Sequence, residues 1–238
     1  MEEADELDTP TPLYQDLSVS VIAINGLSGT GKGTARGQVA TRLGFHQLDS
    51  GCLYRAVAYK ALKRSVAITD VPRLVRIASE LDLQMDGLAV YSGDEEITDL
   101  LRTEQIDNHS RVVSQVLEVR RALMQYQLSM RKLPGLVADG RDMSDVFTGQ
   151  LRFGYHFTTD VEVKAERRVR WYEKRGVKVD PKKVLQDMKD RDRADMTREH
   201  SPFKQHPDDV VVDNTNMKVG EAAEFVVADY LRRLAAVA

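Results

Sequence analysis

The sequence contains a single cysteine, Cys52, among its 238 residues. One cysteine excludes an intramolecular disulfide and a four-cysteine zinc site, and it fits a reducing cytoplasm, where we expect the protein to reside. We interpret Cys52 as a small packing residue rather than a nucleophile, since no histidine-containing motif surrounds it. The five histidines have no metal-ligand spacing, so we expect them to be structural or solvent-facing.

Basic residues are missing before Lys32, and no apolar run reaches the roughly 18 residues that suggest a membrane span. The beginning of the chain therefore lacks the charged start of a secretory signal peptide. The net charge of −3 and the pI near 6.0 argue against a general nucleic-acid or membrane binder. Residues 1–17 are acidic and interrupted by proline, which predicts a solvated, flexible tail rather than a partner-binding segment.

Apolar strands and helical patterns alternate along the rest of the chain, which predicts an α/β fold with a five-stranded parallel sheet and helices on both faces. The expected strands are 18–24, 45–48, 136–138, 152–158 and 210–212, and the expected helices are 32–43, 53–64, 118–133, 161–175, 180–193 and 220–235. Residues 65–107 differ, with helical spacing over 71–81 followed by short strands with turns at Asp86-Gly87 and Gly93-Asp94. We interpret this stretch as an inserted subdomain in a single domain spanning 18–238.

A glycine-rich segment lies between the first predicted strand and helix, the context that a phosphate-binding P-loop requires. Backbone N–H groups can turn inward around phosphate oxygens at glycine without steric cost, and the following helix points its positive end at the same anion. The side chain of Lys32 would reach the β- and γ-phosphates of ATP. A chance glycine-rich turn is the alternative, which the agreement of strand, spacing, lysine and helix disfavours. The segment consists of Gly26, Leu27, Ser28, Gly29, Thr30, Gly31, Lys32, Gly33 and Thr34.

The loop resembles the GxxGxGKGT form of small-substrate phosphotransferases of the adenylate kinase type. Gly33 takes the place where other P-loops have a Ser or Thr hydroxyl that binds Mg²⁺. The resemblance implies that Mg²⁺ is held mainly by phosphates and water, with no direct protein ligand. Asp139, at the carboxyl end of a predicted strand, is then the expected carboxylate behind the metal's water shell.

The segment LDSGCLYR, residues 48–55, follows the second predicted strand and resembles the LDSGxxYR segment of bacterial-type cytidylate kinases. In that family the segment contributes to the acceptor monophosphate site, which implies this role for Ser50, Tyr54 and Arg55. A guanidinium suits the task because it forms two parallel bonds to phosphate. Without the motif, Arg55 would be interpreted as a solvated helix residue.

The segment ADGRDM, residues 138–143, resembles a second signature of the same family. The resemblance implies that Asp139 serves the phosphate and Mg²⁺ region and Arg141 the acceptor phosphate. It also implies that Asp142 and Arg120 hold the cytosine edge, which offers an amino donor to a carboxylate and acceptors to a guanidinium. A structural salt bridge between Asp142 and Arg120 is compatible with this role.

Residues 189–198 resemble the family's RDxxDxxR segment, which lies in a mobile lid at about 174–205. By that resemblance Arg191 and Arg198 neutralise the transferring phosphoryl group, and Asp195 contacts the acceptor sugar. On a helix these three residues share one face, and a salt-bridged surface is the alternative interpretation. The resemblance divides the P-loop kinase domain into a core (18–64, 108–173 and 206–238), an NMP-binding insert (about 65–107) and this helical lid.

Several residues depart from the family pattern. Arg111 stands where a serine is usual, with Ser110 and Ser114 as nearby candidates, and Ser144 follows GRDM in place of glycine. Residues 147–150 replace a Phe-Pro-Asp segment, and Ala194 lies where a further lid arginine often sits. These changes bear on discrimination among CMP, dCMP and UMP.

These resemblances together predict a (d)CMP kinase that transfers phosphate from ATP with Mg²⁺, using Lys32, Arg141, Arg191 and Arg198 as catalytic cations. Nucleotides are the expected partners, with no nucleic acid or membrane, and the family resemblance favours a monomer. A P-loop kinase for UMP, AMP or a non-nucleotide such as shikimate is the nearest alternative. A nucleotide-binding regulator without turnover and a structural interaction protein are the others.

Overall fold

The computed structural model describes residues 15–237. In chain order its elements are β1 (Val21–Gly26), α1 (Lys32–Leu43), β2 (His46–Asp49), α2 (Ser50–Lys63), α3 (Val71–Ser79), β3 (Gln84–Asp86), β4 (Ala89–Ser92), β5 (Glu95–Glu96), a 3₁₀ turn (Leu100–Arg102), α4 (Glu104–Val113), α5 (Leu117–Ser129), β6 (Leu136–Gly140), α6 (Met143–Val146), β7 (Arg152–Thr158), α7 (Val161–Glu173), α8 (Pro181–Thr197), β8 (Val210–Asp213) and α9 (Glu221–Ala235).

The main sheet has five parallel strands in the order β2-β6-β1-β7-β8, which confirms the predicted α/β class. Strand β1 lies at its centre and is buried on both faces. Its side chains alternate between two cores, with Val21 and Ala23 packed on one side and Ile22 and Ile24 on the other. Helices α2, α3 and α5 cover the first face, and α1 and α9 cover the second, as near-continuous apolar strands require.

Element boundaries differ from the predicted ones where side chains cap the backbone. The first strand begins at Val21 rather than at Ser18, because the Asp16 carboxylate accepts from both the backbone N–H and the hydroxyl of Ser18 and holds a turn. Helix α2 begins at Ser50 rather than at residue 53, because the Asp49 carboxylate accepts from Cys52 N at 3.0 Å. Helix α8 begins at the predicted Asp180 cap.

The inserted stretch contains α3 and a three-stranded antiparallel sheet, β3-β4-β5. Gly87 and Gly93 have positive φ values of 55° and 59°, so both predicted turns are present. Ile77, Val90 and Ile97 pack into the same core as α2, so the insert shares the hydrophobic core of the main domain. The predicted boundary between residues 107 and 108 falls inside α4.

Helix α8 packs on α7 through a small apolar cluster of Ala165, Val184 and Met188. Within the part of the chain that the structure describes, no helix combines the length and apolar character needed to span a membrane. Residues 1–14 of the predicted tail lie outside the described residues, whereas Gln15 accepts a hydrogen bond of 2.7 Å from the buried Arg131.

Candidate active site

The glycine-rich loop connects the carboxyl end of β1 to the start of α1, as its sequence predicts. Gly29 and Gly31 have φ values of 85° and 81°, which residues with a Cβ atom rarely adopt. A Cβ at Gly29 would also lie 2.7 Å from Cε of Met188 on α8. The loop therefore needs glycine both for its backbone path and for the close approach of α8, and it leaves the helix N-terminus open to an anion.

In front of the loop lies a cavity of about 410 Å³, here called the central cavity, at the carboxyl ends of β1, β2 and β6. This is the edge where parallel α/β sheets place their ligands. The predicted residues that line it are Ser28, Gly29, Lys32, Gly33, Ser50, Tyr54, Arg55, Arg120, Asp139, Arg141, Asp142, Arg191, Asp195 and Arg198. The structure thus brings together the predicted acceptor, lid and catalytic residues, which come from five separate segments.

Two carboxylates at the strand ends, the buried Asp139 and the partly buried Asp49, share one arginine that the sequence did not single out. Arg36 of α1 donates from Nη1 to Asp139 Oδ1 at 2.9 Å and lies 3.4 Å from Asp49 Oδ2. Burial and the neighbouring Asp49 raise the pKa of Asp139. Burial would also raise the pKa of Asp49, but Arg36 and Arg55 outweigh it and hold that pKa below its usual range. Arg36 therefore keeps two adjacent acids together beside the loop.

The Lys32 side chain lies at the floor of the central cavity, where Nζ donates to Leu27 O at 3.2 Å. Its pKa is lowered to about 7, first by burial and then by the positive charge of Arg141. Asp139 and Asp49 act in the opposite direction and only partly compensate. The ammonium is consequently short of negative charge, which a phosphate bound in the loop would supply.

Arg141 connects the loop to α8. Its Nη1 donates to Gly26 O at 2.8 Å and its Nε donates to Asp195 Oδ2 at 2.8 Å. Arg191 of α8 binds Asp107 of α4 through two bonds, of 3.0 and 3.3 Å. These contacts hold α8 across the cavity, in contact with both the loop and α4, and they make Asp107 a site residue that sequence reasoning missed.

Asp142 and Arg120 form an ion pair, as the structural alternative anticipated, and both side chains also line the central cavity. Arg120 is further held by Ser114 O, which accepts from its Nη1 at 3.2 Å, and its guanidinium stacks 5.7 Å from the centre of the Tyr54 ring. The pair therefore presents a fixed carboxylate next to a fixed guanidinium.

Arg198 lies at the end of α8, where its Nε donates to Ser201 O at 2.6 Å. Its Nη2 is buried and meets no hydrogen-bond partner among residues 15–237. A buried guanidinium nitrogen without a partner is costly, and the Arg198 side chain is one of those that line the central cavity.

A second cavity, of about 630 Å³ and here called the side cavity, lies on the other side of the loop. Gly31 and Thr34 of the loop line it, together with Arg167 of α7 and Asn214 after β8. Asn214 Nδ2 donates to Thr30 O at 2.6 Å, and Arg167 donates to both Asn214 Oδ1 and Asn214 O. The motifs in the sequence did not include Arg167 or Asn214, because neither belongs to a contiguous signature.

The family model described as cytidylate kinase matches residues 22–232. A cytidylate kinase of Pseudomonas paraeruginosa is 37% identical over 216 residues, covering 88% of this chain and 94% of that protein. One from Cupriavidus necator is 39% identical over 219 residues, covering 92% and 97%. The chain belongs to the cytidylate kinase family.

Among solved structures, TT1252 from Thermus thermophilus is 22% identical with a TM-score of 0.45, covering 91% of this chain and 98% of that one. That likeness is too distant to bear on fold or function.

The departures from the cytidylate kinase pattern have local explanations. Arg111 pairs with Asp107 at 3.1 Å and lines the central cavity. Ser110 and Ser114 also line the cavity; their hydroxyls donate to backbone carbonyl oxygens of the preceding turn, and their oxygens can still accept a hydrogen bond. Ala194 lines the cavity and leaves open space where a longer side chain would project.

Ser144 belongs to a buried polar network behind the loop. Its Oγ donates to Asp209 Oδ1 at 2.7 Å and accepts from Asn25 Nδ2 at 2.7 Å. Asn25 Nδ2 also donates to Asp209 Oδ2, and Arg152 lies 3.1 Å from Asp209 Oδ1. Glycine at position 144 could not form these bonds, so the serine contributes to fixing the end of β1.

No group of three or more His, Cys, Asp or Glu side chains between residues 15 and 237 is arranged to hold a metal ion. The site nevertheless fits a Mg²⁺ ion that arrives with nucleotide phosphates, because Mg²⁺ keeps several waters and binds few carboxylates directly. Asp139 and Asp49 both line the central cavity beside the loop, where they can accept hydrogen bonds from such waters. Cys52 is buried, and burial with the nearby Asp49 raises the pKa of its thiol, so it acts as a packing residue.

Proposed function

We propose that the protein transfers the γ-phosphoryl group of Mg·ATP to the phosphate of CMP, and also of dCMP, giving ADP and CDP or dCDP. The observation that carries this proposal is the central cavity. The glycine-rich loop, the Asp142–Arg120 pair and the three arginines Arg55, Arg141 and Arg191 all line this one cavity.

The cytosine base would lie against the Asp142–Arg120 pair. Its exocyclic amino group donates to the Asp142 carboxylate, and its N3 and O2 accept from the Arg120 guanidinium. Tyr54 lies beside this pair and shapes the base pocket. Asp195, which accepts from Arg141 and lines the same cavity, would contact the acceptor sugar.

The donor triphosphate would occupy the loop, with its adenosine in the side cavity near Arg167 and Asn214. A guanidinium and an amide suit this position, since they stack on or hydrogen-bond to a purine. Mg²⁺, when bound with ATP, neutralises phosphate charge, and Asp139 with Asp49 would orient its waters.

The attacking group is already an anionic phosphate oxygen, so the transfer needs no general base. The protein's task is to hold two polyanions in line and to exclude water. Lys32 and Arg141 approach from the core, while Arg191 and Arg198 approach from α8, which we propose acts as a lid over residues of the insert and the loop. The protein would act in the cytoplasm as a monomer, with no nucleic-acid or membrane partner.

The test is ADP formation with Mg·ATP and a panel of CMP, dCMP, UMP, AMP, GMP and shikimate. We expect CMP and dCMP to have the highest kcat/KM. Preferred turnover of another acceptor would support the assignment as a kinase but contradict the proposal that Asp142 and Arg120 bind cytosine. ATP binding without turnover of any acceptor would instead indicate a regulator.

Asp142→Asn isolates the base contact. The amide keeps the size of the side chain, but it no longer offers a charged acceptor to the cytosine amino group. We expect kcat/KM for CMP to fall by about 10- to 100-fold. The ratio of kcat/KM for CMP to that for UMP should also decrease, because the amide can donate to the uracil O4. The KM for ATP serves as the internal control and should stay unchanged. An unaltered ratio of CMP to UMP turnover would contradict this assignment.

A further inference from the structure

Asp107 on α4 contacts three guanidinium groups that come from three different helices. Arg191 of α8 donates to both of its oxygens, at 3.0 and 3.3 Å. Arg111 of α4 donates from Nη2 to Oδ2 at 3.1 Å, and Nε of Arg55 on α2 lies 3.8 Å from Oδ1. The Asp107 carboxylate on α4 thus connects α2, which carries the acceptor segment, with α8.

The placement of the three arginines indicates what this cluster is for. Arg55, Arg111 and Arg191 all line the central cavity, whereas the Asp107 side chain is not part of its wall. The carboxylate therefore contacts the guanidinium groups from outside the cavity. Each guanidinium has five N–H donors, so the contacts to Asp107 leave donors available on the cavity side.

Three cations this close together would repel one another and spread apart without a central anion. Burial would raise the pKa of Asp107, but Arg191, Arg55 and Arg111 outweigh it and hold the pKa below its usual range. The side chain therefore stays charged near neutral pH. Its contact with Arg191 also spans from α4 to α8, so the same charge that gathers the arginines keeps α8 over the cavity.

We propose that Asp107 is a positioning residue that gathers Arg55, Arg111 and Arg191 into one binding site for the acceptor phosphate. The inference rests on the proposed function for the identity of the phosphate. The gathering itself concerns any phosphate dianion that enters this part of the central cavity. A competing role, in which Asp107 occupies the place of the phosphate, makes the opposite prediction for affinity.

The test compares the full chain with Asp107→Asn, which keeps the shape of the side chain and removes its charge. Calorimetry measures the binding of CMP and of inorganic phosphate, and steady-state kinetics gives KM for CMP and for Mg·ATP. We expect both affinities to weaken by about tenfold and KM for CMP to rise in parallel, while KM for Mg·ATP changes by less than about twofold. Asp107→Glu should restore most of the affinity, because the charge returns.

Glu80→Gln is the matched control. Glu80 accepts from both Arg64 and Arg76 on the surface, away from the cavity, and its loss should leave both affinities unchanged. Arg111→Met is a second variant that does not depend on Asp107→Asn folding, because the Arg111 side chain is 47% exposed. This substitution should weaken the affinity of the protein for inorganic phosphate several-fold.

Unchanged or tighter phosphate binding in Asp107→Asn would overturn the proposal, and tighter binding would identify Asp107 as a competitor of the phosphate. Unchanged binding in Arg111→Met would overturn it as well. Absence of CMP turnover in the wild-type protein would remove the proposed function, but inorganic phosphate binding would still decide whether Asp107 gathers the arginines.

Discussion

Between pH 7.5 and 9 we expect the affinity of the protein for Mg·ATP to fall by about 25-fold, because Lys32 must gain a proton when the phosphates bind. In the nucleotide-free protein the pKa of Lys32 is about 7, lowered first by burial and then by Arg141. Bound phosphate supplies the negative charge that the ammonium lacks, so the pKa rises in the complex. Affinity is therefore highest well below pH 7 and declines as the pH rises through 7.

The magnitude follows from the fraction of neutral lysine. With a pKa near 7 the dissociation constant is multiplied by about 4 at pH 7.5 and by about 100 at pH 9, in each case relative to acidic solution. Nucleotide phosphates ionise near pH 6 and do not titrate in this window. The pKa of Arg191 is lowered only to about 10, and the described residues that line the central cavity include no histidine.

Calorimetry with a non-hydrolysable ATP analogue and Mg²⁺ measures the effect directly. At pH 8, titrations in two buffers of different ionisation enthalpy should report the uptake of about 0.9 proton per nucleotide bound. Lys32→Arg is the control, because a guanidinium stays charged throughout and should remove both the uptake and the pH dependence. A wild-type affinity that is flat from pH 7.5 to 9, without proton uptake, would refute the reasoning.

Two further variants test the supports of the site. Ser144→Ala removes a hydroxyl that donates to Asp209 and accepts from Asn25, and we expect a loss of about 1–3 kcal/mol in the free energy of unfolding by urea; an unchanged value would argue against the network. Asp192→Asn leaves the buried Lys164 without its charged partner, so amide hydrogen exchange in α8 should accelerate by about tenfold or more. Equal exchange rates would show that the pair does not hold α8.

The fold class was predictable because its signals are local. The β-branched run that became β1, the glycine turns at Gly87 and Gly93 and the Asp180 cap each act within a few residues. Boundaries shifted where a capping side chain competed with the periodic pattern, as at Asp16 and Asp49. The sequence pattern predicted a cap at Asp180 but placed none at Asp16 or Asp49, because there the apolar periodicity suggested a different boundary.

Some residues of the candidate site could likewise be predicted from short segments, whereas others are defined only by contacts with distant parts of the chain. Lys32 could be named from the chemistry of the glycine-rich loop, and Arg141 and Arg191 from short segments that resemble those of cytidylate kinases. Asp107 and Arg36 could not be named in this way, because their contacts in the site are with residues far away in the chain. Arg36 meets Asp139 across 103 positions, and Asp107 meets Arg191 across 84.

The sequence by itself determined the alternation of strands and helices and the phosphate loop, because hydrophobic periodicity and backbone freedom are properties of neighbouring residues. The three arginine-bearing segments could be assigned because each resembles a short segment of the cytidylate kinase family. Only the tertiary structure decided the strand order β2-β6-β1-β7-β8, the placement of α8 across the cavity and the grouping of the charges. Those outcomes depend on which distant surfaces pack together. A charged side chain has no assigned partner until that packing brings one within a few ångströms.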